Sequence, residues 1–295
     1  SEFWARITST DADELMPPAK AKKPLTPKEV ALFKRWIEQG AKYEGHWAFI
    51  SPKTPTPPKG NSKWGHNPID HFVLKQLKAN GLKPSTEATR ELLIRRVTFD
   101  LTGLPPTLAE VDAFVDDKSP NAYEKVVDRL LASKSYAERM TLHWMDVARY
   151  GDSSVHHADG PRTMWPWRDW VINAYHTNKS FKEFATEQLA GDLIPNATID
   201  QKIATGFNRN HGTTDEGGLI VEEYRVEYVV DRVKTTGNVF LGLSIECAQC
   251  HSHKYDPISH KEYYQFFAFF NNNADSGKQT RGGNAPPMVD VISKE

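Results

Sequence analysis

Apolar residues recur through most of the chain at the three- and four-residue spacing of amphipathic helices, often directly after residues that favour helix caps. The first well-marked stretch begins at Thr26, with Pro27 in the first helical position and Glu29 completing a capping box. Gly40 is its predicted end. The apolar stripe of this helix consists of Leu32, Phe33, Trp36 and Ile37. A single short helix cannot bury such a stripe alone, so we expect it to pack on a partner surface.

The same signals predict further helices from Asn67 onward. Asn67 caps a stretch whose first helical position is Pro68 and whose predicted end is Gly81. Capping boxes predict three more helix starts, at Thr107 with Glu110, Ser180 with Glu183, and Ser259 with Glu262. Alternating runs of the kind that form strands are scarce. The pattern therefore predicts a mainly α-helical protein with one large multi-helix domain.

Composition divides the chain into four predicted segments. They are a short N-terminal helical segment (1–50), a Pro-rich linker (51–65), the main helical domain (66–275) and a flexible tail (276–295). The chain opens with Ser1 rather than Met, which indicates a processed or excised piece. Its lack of targeting information therefore says nothing about the compartment.

Charge and cysteine content narrow the classes of function. The formal net charge is −1 over 295 residues, which gives no basic surplus and does not favour nucleic acid as a partner. No apolar run approaches the roughly 20 residues that span a bilayer, so no membrane span is predicted. The chain has only two cysteines, and both lie in one short motif. A disulfide scaffold is therefore excluded beyond that single pair.

The two cysteines belong to the motif Cys247-x-x-Cys250-His251, which is typical of c-type haem attachment. Two thiols three positions apart on one helical turn can reach the two vinyl groups of the porphyrin. The next residue, His251, can then direct its imidazole at the iron. The motif predicts one covalently bound haem c, with His251 as the proximal iron ligand.

Three other interpretations of this motif compete with haem. A C-x-x-C pair can form a redox disulfide, although that normally belongs to a βαβ context, which is absent here. The pair can also form half of a zinc site with His251 and His253, although ligands so close in sequence would make an unusual tetrahedral site. The third interpretation is a chance occurrence.

Residues around the motif extend it into a longer pattern. Residues 247–258 read CAQCHSHKYDPI, and residues 263–270 read YYQFFAFF. Further pieces are LTGLPP at 101–106, HWMDVARY at 143–150, QLAGD at 188–192 and DRVKTT at 231–236. In this order they resemble the large planctomycete cytochrome c family, whose central domain was long catalogued as of unknown function. The resemblance spans about residues 46–290 and is highly specific.

The resemblance also covers the beginning of the chain. Residues 1–50 are similar to the C-terminal remnant of the cytochrome c domain that precedes the central domain in this family. There a Met-Pro-Pro loop supplies the distal iron ligand, so the resemblance implies that Met16 ligates a different haem. The attachment motif of that haem is absent from this chain. The alternative is a loop methionine packed on Trp36.

The distal ligand of the haem at His251 has to come from elsewhere in the fold, since His253 is too close in sequence to reach the opposite face. Our first candidate is His211, in a polar, glycine-rich loop; its alternative is a surface turn. The second is His143, which lies in a predicted amphipathic helix and is alternatively a core histidine. Three methionines are more typical of core filling than of ligation: Met140, Met145 and Met164.

Three further clusters have two interpretations each. The clusters are His156 with His157 and Asp159; Glu223 with Glu227 and Asp231; and Trp165 with Trp167 and Trp170. The first is a metal or substrate site, or a solvated loop. The second binds calcium or a basic partner, or is a solvated helix face that arginines neutralise. The third stacks on sugar rings or haem, or packs with cation–π contacts to Arg162 and Arg168.

These observations favour a c-type cytochrome domain that transfers single electrons through one covalent haem. Its expected partner is a redox protein or an adjoining cytochrome domain, and haem attachment of this kind implies a periplasmic or otherwise exported location. A first alternative is a haem-dependent oxidoreductase or peroxidase-like enzyme. The family resemblance implies a further C-terminal domain and a link to complex carbohydrate breakdown for such an enzyme. A second alternative is a binding or scaffold module whose haem is structural.

Overall fold

The fold is given by a computed structural model that describes residues 1–18, 20–59 and 64–291. The α-helices in these residues are α1 (Glu2–Thr8), α2 (Pro27–Glu38), α3 (Pro68–Ala79), α4 (Arg90–Thr102), α5 (Leu108–Asp116), α6 (Ala122–Leu131), α7 (Lys134–Val147), α8 (Trp165–His176), α9 (Phe181–Ala190), α10 (Ile199–Ala204), α11 (Val221–Thr236) and α12 (His260–Ala268). Within this part of the chain β-structure is limited to isolated bridges. The predicted mainly α-helical fold is therefore confirmed.

Shorter helical turns connect several of these helices. The 3₁₀ turns are Trp47–Phe49, Gly191–Leu193, Thr205–Arg209 and Ile245–Gln249, and a π-helical turn covers Gly237–Leu241. None of the helices described here is long and apolar enough to cross a membrane.

The predicted helix starts are confirmed, because local capping chemistry sets them. Capping boxes form at Thr26, Asn67, Thr107 and Ser259, and the Ser180 hydroxyl accepts from the backbone N–H of Glu183. In each of these helices the first-turn backbone N–H groups would otherwise lack partners. The cap side chain accepts a hydrogen bond from one of these N–H groups.

The chain forms two compact units, Ser1–Thr86 and Glu87–Glu295. In the first unit Phe3 of α1 meets Phe33 of α2 edge to face, with ring centroids 5.1 Å apart. Met16 is 46% exposed in this unit. The four segment boundaries predicted from composition remain a prediction.

The second unit contains three apolar cores. Helices α4, α5 and α6 bury Ile94, Phe114 and Leu130 against one another. A larger aromatic core joins α7, α8, α9 and the turn Thr205–Arg209, and a third core lies between α11, α12 and the turn Ile245–Gln249. This third core positions the candidate site.

Candidate functional site

The cysteine motif lies on the 3₁₀ turn Ile245–Gln249 and its continuation. Residues three apart share a face of such a turn. Ile245 and Ala248 point inward and are buried with Val233 and Tyr263. Cys247 and Cys250 are exposed, and both thiols are free. The turn therefore presents both thiols to solvent while its other face anchors it to the third core.

His251 follows the second cysteine and is exposed. Its Nδ1 lies 2.8 Å from the Ser252 carbonyl oxygen, so this nitrogen donates a hydrogen bond. The other nitrogen, Nε2, then carries the lone pair. A backbone carbonyl on Nδ1–H is the usual way a protein fixes the tautomer and orientation of a metal-binding imidazole.

Two side chains of α12 hold the backbone between the cysteines. The Gln249 carbonyl oxygen is 3.0 Å from His260 Nε2 and accepts a 3.1 Å hydrogen bond from the Tyr264 hydroxyl. The two rings also contact each other edge to face. Sequence reasoning did not identify this pair, although its spacing of four on a capped helix was a usable signal.

The neighbouring His253 is directed toward the backbone. Its Nδ1 accepts from the backbone N–H groups of Tyr255 and Asp256, at 3.2 and 2.7 Å. Over the residues that the structure describes, no three side chains of His, Cys, Asp or Glu come together in a group that could hold a metal ion. The geometry thus gives no support to the alternative of a zinc site built from the two cysteines, His251 and His253.

His211 is buried, with 1% of its surface exposed. Its Nδ1 is 3.0 Å from the Gly212 carbonyl, its Nε2 is 2.8 Å from Nη2 of Arg232, and its ring stacks on Tyr228. Burial lowers the pKa of His211 well below its ordinary value, and the Arg232 guanidinium lowers it further. The ring is therefore neutral, with Nε2 accepting from Arg232. Binding iron through Nε2 would require losing that bond, and His211 as the distal ligand remains a prediction.

Arginines fix the loop that contains His211. Arg162 donates to the carbonyls of Asn210 and His211 at 3.0 and 2.8 Å, and Arg232 donates to the carbonyl of Asn208 at 2.7 Å. The guanidinium groups of Arg209 and Arg232 both pair with the buried carboxylate of Asp275. We define Arg209, Arg232 and Asp275 as the arginine–aspartate triad. Its members lie far apart in sequence, so no local pattern predicted it.

The remaining candidate ligands are distributed over separate places. His143 is exposed on α7, whereas Met145 and Met164 are buried and Met140 is half-buried. Because His143 is exposed, the interpretation of it as a core histidine is wrong. Met16 lies in the first unit.

The three polar and aromatic clusters are also located. His157 pairs with Asp215, at 2.9 Å, and Asp159 accepts from the backbone of Val155. Asp231 pairs with Arg149 at 2.6 Å, while the other acidic side chains of its face are exposed. The buried tryptophans of α8 are Trp167 and Trp170, which belong to the aromatic core. This placement favours packing for the tryptophans.

Taken together, the described residues form a helical protein with an exposed, anchored C-x-x-C-H turn. Residues 68–275 match the family described as PSCyt2, a protein of unknown function (DUF1549). Because this match covers more than half of the chain, the chain belongs to that family. The family name agrees loosely with the planctomycete cytochrome resemblance, and its description assigns no function. No curated protein and no solved structure matches the chain.

Proposed function

We propose that this chain is a c-type cytochrome domain that carries one haem through Cys247 and Cys250 and transfers single electrons. One observation carries the proposal: two free, exposed thiols share the outer face of an anchored turn, and an exposed imidazole follows directly. This arrangement matches what covalent attachment requires, since both thiols have to be accessible from one side.

The residues around the turn fit a haem c. When bound, the haem supplies one-electron chemistry at its iron. Cys247 and Cys250 would form the thioethers, and His251 would ligate the iron through Nε2. The Ser252 carbonyl accepts the Nδ1 hydrogen bond and so holds the imidazole in that tautomer. His260 and Tyr264 keep the intervening backbone in place through the Gln249 carbonyl.

Location and partners belong to the same proposal. The thiols and the imidazole are all exposed, so a redox protein or an adjoining cytochrome domain can approach this surface. Covalent attachment of this kind takes place outside the cytoplasm. We therefore place the protein in the periplasm or an equivalent exported space.

The first prediction concerns covalent haem. Protein produced with a cytochrome c maturation system is expected to contain one haem per chain that survives denaturation, with the pyridine haemochrome spectrum of haem c. The double variant Cys247→Ser/Cys250→Ser is expected to lose covalent haem completely. His251→Gln should lose the native spectrum, whereas His176→Gln, at an exposed histidine on α8, serves as the matched control and should keep it. Absence of covalent haem from the matured wild-type protein would overturn the proposal.

The distal ligand is tested on the same sample. If His211 is that ligand, His211→Ala converts a low-spin haem into a high-spin one; an unchanged spectrum excludes it. His143→Ala tests the second candidate in the same way. His211 is buried and contacts Arg232, so its substitution can disturb the fold. The far-UV circular dichroism of the His211→Ala variant therefore has to match that of the wild type before its haem spectrum is interpreted.

A haem-dependent oxidoreductase or peroxidase-like enzyme is the second candidate function. It is favoured by a cleft of about 750 Å³ in the second unit, which has the size of a small-molecule site. A low-spin haem that is indifferent to carbon monoxide and peroxide supports the electron carrier. A high-spin haem that binds carbon monoxide supports the enzyme.

A further inference from the structure

The cleft of about 750 Å³ opens where the ends of α9, α11 and α12 approach the segment 287–289. All of its lining residues belong to the unit Glu87–Glu295. The proposed haem attachment uses none of them, although the second candidate function rests on the presence of this cleft. We call it the arginine cleft, because Arg209 and Arg232 of the arginine–aspartate triad form its polar end.

One wall of the arginine cleft is apolar and accessible. Four of its large apolar side chains are between 42% and 78% exposed: Leu193, Phe269, Met288 and Val289. Single exposed apolar side chains are ordinary on protein surfaces. Their convergence on one concave surface, beside Phe266, indicates a place where apolar ligand surface is buried.

The polar end of the cleft has more positive than negative charge. Its cations are Lys202, Arg209 and Arg232, and its carboxylates are Asp192 and Asp275. Asp275 is already shared by both arginines, and Nη1 of Arg232 has no hydrogen-bond partner within the described chain. Among the described residues Lys202 also forms no ion pair. The charge at this end is therefore incompletely compensated.

Two further guanidinium groups, those of Arg162 and Arg149, interact with the cations of the cleft and add to this positive charge. Burial lowers the pKa of Arg209; the Asp275 carboxylate opposes this effect, and repulsion from Arg232 adds to it. Arg162 is likewise affected by burial first, and then by Arg209 and Arg149. His211 is neutral, because burial and the Arg232 guanidinium lower its pKa, and it adds no charge to this end. An anion arriving at this end would relieve repulsion among buried cations.

We propose that the arginine cleft binds a small organic anion with a flat apolar body, of the chemical class of the aryl carboxylates. The carboxylate would bind the unpartnered Nη1 of Arg232 and the ammonium of Lys202, since charge-assisted hydrogen bonds to carboxylates are the strong ones. Arg209 contributes charge only, because its two terminal nitrogens already donate to Asp275 and to the Ala285 carbonyl. The ring system would pack between Phe266, Phe269 and Met288. This inference goes beyond the haem proposal and does not depend on it.

Isothermal titration calorimetry with a matched pair of probes tests the charge requirement. Naphthalene-2-carboxylate and its neutral isostere naphthalene-2-carboxamide are titrated into the full chain as purified, whatever its haem content. The carboxylate is expected to bind one per chain and about tenfold more tightly than the amide, which is the size of effect that one charge-assisted hydrogen bond gives. Equal affinities, or no binding of either probe, would overturn the proposal.

Exposed side chains allow the site to be located without disturbing the fold. Lys202→Gln is expected to weaken carboxylate binding about fivefold and to leave amide binding unchanged; Asp192→Asn should strengthen carboxylate binding. Phe269→Ala should weaken both probes. Lys182→Gln, at an exposed lysine on α9 outside the cleft, is the matched control and should change neither affinity. Carboxylate binding that Lys202→Gln leaves intact would place the ligand elsewhere and contradict the assignment.

Haem content is measured separately, so failure of this proposal and failure of the haem proposal are distinguishable.

Discussion

Gly237, the first residue of the π-helical turn after α11, packs against Ile245 of the turn that carries the two cysteines. A Cβ atom on this residue would come within 2.4 Å of Cγ2 of Ile245, which anchors the turn from inside. Real side-chain contacts do not come this close, so any larger residue here has to displace the anchor. The orientation of the exposed thiols therefore depends on a residue that carries no functional group.

We predict that Gly237→Ala destabilises the protein by about 1–3 kcal/mol, the range typical of overpacking in a core. It should also reduce covalent haem per chain, because the turn is displaced. Urea denaturation followed by circular dichroism measures the first effect and the haemochrome assay the second. Gly217→Ala is the matched control, since its Cβ would meet open space. Wild-type stability in Gly237→Ala would show that the turn adapts.

Asp117, just after α5, is expected to contribute to the stability of the α4–α6 core in a pH-dependent way. Hydrogen bonds from Ser119 and from the Lys125 ammonium hold the pKa of this carboxyl well below its ordinary value of 3.8. Because the folded protein binds the proton less readily, this contribution is fully present above about pH 3.8 and is lost as the pH falls further. The denaturation midpoint of Asp117→Asn should fall less steeply than wild type between pH 4 and 2. If the midpoints of variant and wild type fall in parallel with pH, the loss of stability in acid is due to groups other than Asp117.

At the scale of elements, α12 both closes the third core and holds the turn that carries Cys247 and Cys250. Its first turn is fixed by the capping box of Ser259 and Glu262, and the next turns carry His260 and Tyr264. The start of this helix and the position of the Gln249 carbonyl are therefore linked. Loss of the Ser259 cap should therefore loosen the backbone of the cysteine motif.

We predict that Ser259→Ala lowers stability by about 1 kcal/mol, the usual cost of losing an N-cap. It should also increase amide hydrogen exchange at residues 249–251, since α12 then holds this backbone less firmly. Ser276→Ala, at an exposed serine, is expected to stay within about 0.5 kcal/mol of wild type. Exchange at 249–251 that does not respond to Ser259→Ala would mean that the turn keeps its shape without α12.

The start of a helix could be predicted from the sequence where a nearby cap side chain determines it. The starts of α2, α3, α5, α9 and α12 follow from cap side chains a few residues away, and all five are confirmed. The outward orientation of both thiols depends instead on contacts of Ile245 and Ala248 with Val233 and Tyr263, which lie in other helices. The motif could therefore point to Cys247, Cys250 and His251, but not to the carbonyl, hydroxyl and imidazole groups that hold this turn in place.

Across the whole second unit, the arginine–aspartate triad is the main buried ionic link. Asp275 is 66 residues from Arg209 and 43 from Arg232, and it connects the His211 loop, α11 and the segment after α12. The segment beyond it also packs inward, with the Gly277 carbonyl accepting from the Tyr228 hydroxyl at 2.8 Å. Such distant pairs leave no periodic signal in the sequence.

We predict that Asp275→Asn destabilises the second unit by about 3–5 kcal/mol, because it leaves two guanidinium groups without their shared carboxylate. Asp192→Asn, at an exposed carboxylate of the same cleft, should change stability by less than about 0.5 kcal/mol. Thermal and urea denaturation of the two variants make the comparison. A mild effect at Asp275 would indicate that other groups compensate the arginines.

The outward position of the two thiols has a consequence for how the protein matures. Without haem, the folded chain presents two accessible sulfhydryl groups three residues apart. In the exported location that we propose, such a pair is readily oxidised to a disulfide. Oxidation and the proposed haem attachment would then compete for the same two sulfur atoms. Under this proposal the yield of haem-loaded protein depends on how much reductant is available to keep both thiols reduced during maturation.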